Sequence, residues 1–298
     1  MAQASAIQTF QQIGVAESVL DTVATITRRE TPLLNDLKKT KVGQPVHSWQ
    51  TDTLSTGSAN SNIQGADYSF TKPSARSLKT NYTQIFLKTG EVSGTARAVD
   101  VHGVDDEYAY QKEKRMKELM TDIEKTLITG TSASGASGTA STLRGFLDWI
   151  STNIESGTST ASVTQTETKF NNLLQTIWSS GGRPDKAYVN GFQKRQISGF
   201  VTKTTTVYNV ADPKRLTNTV TEYESDFGVI SVTLDPFMDT DKTLLVQSDM
   251  ASVGYLRDVE TVQVAKVADA DRFAVQAELT LIVNNEGAHG KQLYLATS

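Results

Sequence analysis

Apolar residues recur at helical spacing between residues 105 and 130. They lie at positions i, i+3, i+4, i+7 and i+11, which places them on one face of an α-helix. The residues of this apolar stripe, expected to form the core side of the helix, are Met116, Leu119, Met120, Ile123 and Leu127. The pattern predicts a spine helix over residues 105–129, which would be roughly 36 Å long at 1.5 Å per residue.

Charged residues and a glycine mark the two ends of the predicted spine helix. Residues 105–107 are all acidic and lie at its start, where the helix dipole favours carboxylates. Gly130 follows its end, where a residue in the left-handed conformation commonly closes the last turn. Glu113 stands four residues before Lys117, so we expect an ion pair on the polar side.

Strict alternation replaces helical spacing near the carboxyl end. From Phe273 to Val283 apolar residues alternate with mostly polar ones, which predicts a strand with one apolar face. We expect strands at 261–266 and 292–295 to pair with it. A sheet with one apolar face needs a cover, and the apolar stripe of the spine helix is the best candidate.

Residues 161–255 show the mixed pattern of an α/β unit. Its first helix carries the apolar residues Phe170, Leu173, Leu174, Ile177 and Trp178. We then expect a short buried strand at 185–190, a short basic helix at 191–200, a hairpin within 220–233 and further strands at 244–246 and 253–256. A Gly/Ser/Thr linker and an apolar anchor at 143–150 precede this block.

Residues 46–90 predict a long hairpin with few apolar residues of its own. Ordering about forty residues costs on the order of 40–80 kcal/mol of backbone entropy, and an isolated two-stranded hairpin is marginal in water. Either the body of the same chain or a neighbouring copy must supply the missing burial. The candidate contacts between copies are Trp49, Tyr68, Phe70 and Arg76, although packing of Trp49 within its own chain is equally open.

Composition narrows the class of protein. The chain has 298 residues, 38% of them hydrophobic, and no run of about 18 apolar residues, so we expect no membrane span. The start of the chain lacks the basic and apolar regions of a signal peptide. There is no cysteine, and the net charge of −4 argues against tight wrapping of nucleic acid.

Residues with catalytic or metal-binding chemistry are sparse. The three histidines, at positions 47, 102 and 289, lie in different segments, and no nucleotide-binding, hydrolase or zinc-protease motif is present. The aspartates at 239, 241, 269 and 271 lack the pattern of a calcium loop and are expected to be solvated turn residues. We therefore expect no catalytic, cofactor or metal site and no enzyme. The basic residues Lys194, Arg195, Lys214 and Arg215 could face DNA or a neighbouring acidic rim, but a solvated face is favoured.

The order of several short segments resembles one known family. These segments are ETPLLNDL (30–37), HSWQTDTL (47–54), the spine helix, DPFM (235–238), VGYLRD (253–258), AKVADADRF (265–273) and NNEGAHG (284–290). Together they resemble the major capsid proteins of tailed bacteriophages, in a podovirus-type branch, across nearly the whole chain.

The resemblance implies an α+β capsid fold in four regions. These are an N-terminal arm (1–45), an extended loop or hairpin (46–90), a peripheral domain with the spine helix and a sheet (91–160 and 256–298) and an axial domain (161–255). It further implies an icosahedral shell of hexamers and pentamers around double-stranded DNA, assembled in the host cytoplasm and found in the virion. No long helical extension precedes residue 8, so a separate scaffolding protein is expected, together with a portal.

Two other readings stay open at this point. An encapsulin-like nanocompartment of the same fold would enclose enzyme cargo instead of DNA. A surface adhesin is indicated only by the Ser/Thr/Gly richness, and particle formation would separate it from either shell protein.

Overall fold

The computed structural model describes residues 30–55, 57–99, 104–158, 162–200, 221–266 and 268–297. Its helices are α1 (Pro32–Asp36), α2 (Gly94–Ala98), α3 (Glu107–Thr129), α4 (Phe146–Trp149), α5 (Glu167–Ser179) and α6 (Gly191–Ser198). Its strands are β1 (Lys38–Lys41), β2 (Val46–Thr51), β3 (Ser77–Tyr82), β4 (Gln84–Ser93), β5 (Ile154–Ser156), β6 (Lys186–Val189), β7 (Glu222–Ser225), β8 (Gly228–Leu234), β9 (Thr243–Val246), β10 (Ala251–Val264), β11 (Ala270–Val283) and β12 (Gly290–Leu293). Most of the predicted N-terminal arm lies outside the described residues. The same holds for His102, Lys214 and Arg215.

The first sheet has four strands in the order β1-β10-β11-β4, and the spine helix α3 covers one of its faces. Leu119, Ile123 and Leu127 of α3 are fully buried, in one core with the inward side chains of β11. Met116 and Met120 are partly buried and pack against that core. The alternation along β11 thus supplies the apolar face that the helical stripe covers.

The two ends of α3 are closed in different ways. At the start, the side chain of Asp106 accepts a hydrogen bond from the backbone N–H of Tyr108. At the end, Gly130 has a φ of −56°, so the expected left-handed closure is wrong. The glycine is needed for close packing, because a Cβ there would lie 2.6 Å from the Thr126 carbonyl oxygen and 2.8 Å from that of Leu143.

The second sheet has six strands in the order β5-β12-β9-β6-β8-β7. Helix α5 packs on it through Phe170, Leu173, Leu174 and Ile177, all buried, whereas Trp178 is 55% exposed. Strands β7 and β8 form the predicted hairpin, and β6 is buried between β8 and β9. This sheet and its helices account for most of the predicted α/β block.

The last strand joins a different sheet from the one that the sequence predicts. We expected 292–295 to pair next to β11, but β12 lies between β5 and β9 in the second sheet. Asn153 holds the turn before β12 by donating hydrogen bonds to the carbonyl oxygens of Gly287 and His289. Gly290 then fits under α5, where a Cβ would lie 2.6 Å from Ile177 Cδ1.

Two further strands differ from the sequence-based expectation. Residues 253–256, assigned to the α/β block, belong to the long strand β10 of the first sheet, because 251–255 pair with 279–283. The predicted returning leg of the hairpin is divided at Thr83, whose backbone N–H donates to the Pro45 carbonyl. Strand β3 pairs with β2, whereas β4 pairs with β11, so residues 84–90 belong to the body.

Among the helices that the structure describes, none is long and apolar enough to cross a membrane.

Candidate subunit interface

The hairpin of β2 and β3 is fixed to the body at its base. Asn81, fully buried on β3, donates to the carbonyl oxygens of Leu281 (2.7 Å) and Arg144 (3.2 Å). Its side-chain oxygen accepts from the backbone N–H groups of Tyr82 (3.0 Å) and Arg144 (2.8 Å). This residue makes the base of the hairpin a continuation of the body, not a free strand pair.

The tip of the hairpin, residues 52–76, has no such attachment in the part of it that the structure describes. Every described residue of the tip is exposed, and the hydrogen bonds of its backbone N–H groups, such as that from Ala66 to the Ile63 carbonyl oxygen, are local. Four large apolar side chains lie in water, at exposed fractions of 99% for Leu54, 83% for Ile63, 87% for Tyr68 and 93% for Phe70. Exposed apolar groups concentrated on one extended segment are typical of a surface that is covered by a partner.

Trp49 lies in a different environment from the aromatic residues of the tip. Its ring centroid is 5.4 Å from that of Trp149 and 5.8 Å from that of His47. The guanidinium of Arg144 lies over the Trp149 ring, 4.6 Å from its centroid. Trp49 therefore already packs within its own chain, whereas Tyr68 and Phe70 do not.

Arg76 lies where the tip joins the two strands. Its Nη1 donates to Gln50 Oε1 at 3.3 Å, and its Nε lies 3.9 Å from Asp52 Oδ2. Both partners belong to the opposite leg, so Arg76 links the two legs across the neck of the hairpin. All of these groups are exposed, which makes the link weak by itself.

Of the four aspartates that were expected to be solvated turn residues, Asp239 and Asp271 are paired with cations of the chain. For Asp271 the expectation of a solvated turn is wrong, because it is 5% exposed and lies on β11. Asp239 is 2.7 Å from both Lys125 and Lys242. Asp271 is 2.5 Å from Arg97 and 2.8 Å from Lys266. Across the described ranges, no group of three or more histidine, cysteine or acidic side chains could hold a metal ion.

His289 is a core residue, fully buried and with its ring against Phe146. Its Nδ1 accepts a hydrogen bond from the Gln247 backbone N–H at 3.2 Å. Burial lowers the pKa of His289 to about 4, which keeps the ring neutral at physiological pH.

Lys194, which we expected on a solvated or DNA-facing surface, is buried. Its ammonium donates to the Val232 carbonyl oxygen, and burial lowers its pKa. Arg195, the next residue, is exposed, because successive positions on α6 point in different directions.

The sequence analysis missed a buried acid pair beside the spine helix, formed by Glu124 and Asp235. Glu124 is completely buried on α3, and Asp235 is 1% exposed in the loop after β8. Burial, together with the negative charge of Asp235, raises the pKa of Glu124 to about 8. One signal was available, because Glu124 follows Ile123 directly and stands three residues before Leu127, at the border of the apolar stripe.

Comparison with known proteins gives a match over nearly the whole chain. The family described as SU10 major capsid protein matches residues 3–294. A curated relative, the major capsid protein of Escherichia phage Phieco32, is 33% identical over 133 residues. That alignment covers 44% of this chain and 37% of the relative, so the chain spans little more than a third of the length of that protein.

Solved structures of low sequence identity share the fold. The capsid of a native GTA particle has a TM-score of 0.68 at 12% identity, covering 99% of this chain and 100% of that one. The capsid of cyanophage A-1(L) has a TM-score of 0.67 at 13% identity, covering 98% and 99%. The holo-SrpI encapsulin complex from Synechococcus elongatus has a TM-score of 0.60 at 12% identity, covering 95% and 93%. The α+β fold of tailed-phage capsid proteins, expected from the sequence, is confirmed.

Proposed function

Because the chain belongs to the family described as SU10 major capsid protein, we propose that its copies assemble into the icosahedral head shell of a tailed bacteriophage around double-stranded DNA. One observation about this chain carries the proposal at the level of residues. The tip of the hairpin presents Leu54, Ile63, Tyr68 and Phe70 to solvent with no cover from the described part of its own chain.

A neighbouring copy is the natural cover for this tip. Burying one large apolar side chain is worth about 1.5–3 kcal/mol, and the four apolar side chains of the tip together make a substantial contribution to association. Ordering the polar remainder of the tip costs entropy, which one contact does not offset. Many equivalent interfaces in a closed shell, built from hexamers and pentamers, supply that stabilisation together.

The division of the chain follows the same proposal. Residues 1–45 act as an arm and 46–90 as the extended loop, with 91–160 and 256–298 in the peripheral domain and 161–255 in the axial domain. Strands β5 and β12 lie in the six-stranded sheet, which supports assigning them to the axial domain, and β10 lies in the four-stranded sheet, which supports assigning it to the peripheral domain. Tyr68 and Phe70 are the leading contacts between copies, while Trp49 and Arg76 support the neck of the hairpin.

We infer further partners from this role. A separate scaffolding protein and a portal would guide closure of the shell, and packaged DNA would be held without sequence-specific contacts. The net charge of −4 fits a container that does not bind its contents tightly. Assembly would take place in the host cytoplasm, and the protein would act as a structural component without catalysis.

Sedimentation and electron microscopy of variants of the tip test the proposal. The double variant Tyr68→Ser/Phe70→Ser is expected to reduce shell assembly at least tenfold, with an unchanged melting temperature of the unassembled subunit, because neither side chain packs in its own chain. The matched control Ser69→Ala, on the residue between them, should assemble normally. Trp49→Ala should lower the melting temperature, because Trp49 packs on Trp149.

The contents of the particles distinguish a phage head from an encapsulin-like compartment. Nuclease-protected double-stranded DNA in particles from infected cells supports the phage head, whereas protein cargo without DNA would support the encapsulin-like alternative, which shares the fold. Absence of any particle under all conditions, with or without a scaffolding partner, would contradict both the phage head and the encapsulin-like compartment. That result would favour the surface adhesin. Normal assembly of the double variant would show that the tip is not the interface.

A further inference from the structure

The junction between the N-terminal arm and the spine helix contains a buried cluster of acceptors. Glu124 Oε1 accepts from the backbone N–H of Leu33 at 2.7 Å, and Oε2 accepts from that of Leu34 at 2.8 Å. Leu33, Leu34 and Leu37 are themselves buried in the first core. A single side chain of α3 therefore holds the segment of residues 31–37, called here the arm segment, at its backbone.

Asp235 completes this cluster from the other side. Its Oδ1 accepts from the Phe237 backbone N–H at 2.8 Å, whereas its buried Oδ2 has no hydrogen-bond partner among the described groups. The Glu124 carboxyl lies close enough to Asp235 for the charge of Asp235 to raise the pKa of Glu124. Two ionised carboxylates only accept hydrogen bonds and repel each other at short range. The pair is satisfied when one proton lies between them.

Among the described residues, no paired cation neutralises the two carboxyls, so we infer that a shared proton does so. Within the described part of the chain, no ion pair within 4 Å joins Glu124 or Asp235 to a cation, and Lys125 is engaged with Asp239 and the Phe237 carbonyl. From β6 the Tyr188 hydroxyl donates to Asp36 at 2.8 Å, and Lys186 lies 2.6 Å from Asp36. Tyr188 also lies near Glu124, so Asp36 and Asp185, which lie near Tyr188, add negative charge on this side of the pair. On the other side, Asp239 lies beside Lys125.

We propose that Glu124 and Asp235 form a proton-dependent latch, which holds the arm segment on the spine helix while the pair carries one proton and loosens it when both carboxyls ionise. With this latch, a rise in pH would release the arm segment from the spine helix without unfolding either sheet. It concerns the subunit itself and does not depend on the proposed function.

The direction of the pH effect follows from proton linkage. A carboxyl in the released arrangement regains a pKa near the ordinary value of about 4.3, whereas burial holds the pKa of Glu124 at about 8 in the closed one. The closed latch thus binds more protons, so its stability is complete below the lower pKa and decreases as pH rises towards the higher one. Between them the opening equilibrium should increase up to about tenfold per pH unit.

Hydrogen exchange of the purified full-length protein tests this, measured between pH 5.5 and 8.5 with protection factors corrected for intrinsic exchange. Protection of the Leu33 and Leu34 amides should fall by up to about 100-fold between pH 6 and pH 8 and level off above pH 8. The amides of Leu173 and Leu174 on α5, in the second core, should keep constant protection.

Two variants isolate the acid pair. Glu124→Gln removes the ionisable group, so the pH slope at Leu33 and Leu34 should vanish; because the amide keeps one acceptor oxygen for the two arm amides, their protection should also be lower at every pH. Asp235→Asn removes the repelling charge but leaves Glu124 buried, so it should reduce the total fall in protection between pH 6 and pH 8 without abolishing it, and it serves if the first variant folds poorly. Glu118→Gln is the matched control, because Glu118 lies on the same helix and pairs at the surface with Arg115, and it should keep the slope.

Three outcomes would overturn the latch. They are a flat wild-type profile, a slope that persists in Glu124→Gln or is undiminished in Asp235→Asn, and an equal slope on α5, which would mean global opening. If neither variant folds, the wild-type protein still tests the latch, because the pH dependence of protection in the arm segment can be compared with that on α5.

Discussion

At the scale of single residues, Asn81 shows how one buried polar side chain connects the hairpin to the body. It uses both its donor and its acceptor atoms, on groups from 63 and 200 positions away in the sequence. A fully satisfied amide in the interior stabilises one arrangement, because any displacement leaves several buried groups unpaired.

Replacement of Asn81 by alanine is therefore expected to destabilise the protein. Asn81→Ala leaves the Arg144 N–H and the Leu281 carbonyl without their partner, at a cost of about 1–3 kcal/mol. Thermal melting should show a reduced midpoint, and proteolysis should then reach the β2–β3 base. Asn62→Ala, in the exposed tip, is the control and should melt like the wild type. Equal midpoints for the two variants would contradict an anchoring role for Asn81.

At the scale of elements, the spine helix joins its neighbours through two kinds of contact. Its apolar side chains pack on the first sheet, and its polar side chains reach other elements, as in the ion pair of Lys88 with Asp122 at 2.6 Å. The ion pair of Glu113 and Lys117 is intrahelical and exposed. The helix is thus stabilised mainly by burial, with the surface pairs adding little.

A pair of substitutions on α3 tests this division. Leu119→Asp would bury a carboxylate without a partner, which costs several kcal/mol and should remove soluble folded protein. Lys117→Asp, two residues away, loses only an exposed pair and should cost about 0.5 kcal/mol. Expression yield and cooperative melting measure both. If both variants melt cooperatively at the same temperature, the stripe does not face a core.

At the scale of the whole molecule, the exposed tip contrasts with two buried cores. The first core joins the arm segment, the spine helix and the four-stranded sheet, and the second joins α5 to the six-stranded sheet. The described tip contributes to neither. We propose that a partner stabilises this segment, so its accessibility should change when the partner binds.

Limited proteolysis of unassembled and assembled protein measures that change. In unassembled subunits, cleavage should occur first within residues 53–66, while α3 and β11 survive. At the same protease concentration, assembled particles should resist at the tip if, as proposed, a neighbouring copy covers it. Cleavage of the tip at the same rate in both states would contradict the proposed cover of the tip by a neighbouring copy.

Local patterns in the sequence determined the elements whose periodicity is strong. The stripe of α3, the alternation along β11 and the stripe of α5 could all be predicted, since consecutive residues alone decide which side chains share a face. The order of short segments also indicated the family and its fold. For the candidate interface, the polarity of residues 53–66 indicated the exposed tip.

Tertiary structure alone decided how distant segments combine. The sequence did not determine that β12 enters the second sheet, that β4 leaves the hairpin at Thr83, that Trp49 meets Trp149 or that Glu124 holds the arm segment from 91 positions away. Periodicity assigns a face to a strand but not a partner. The partner depends on which edges, close approaches and buried polar groups become available when the remote parts of the chain come together.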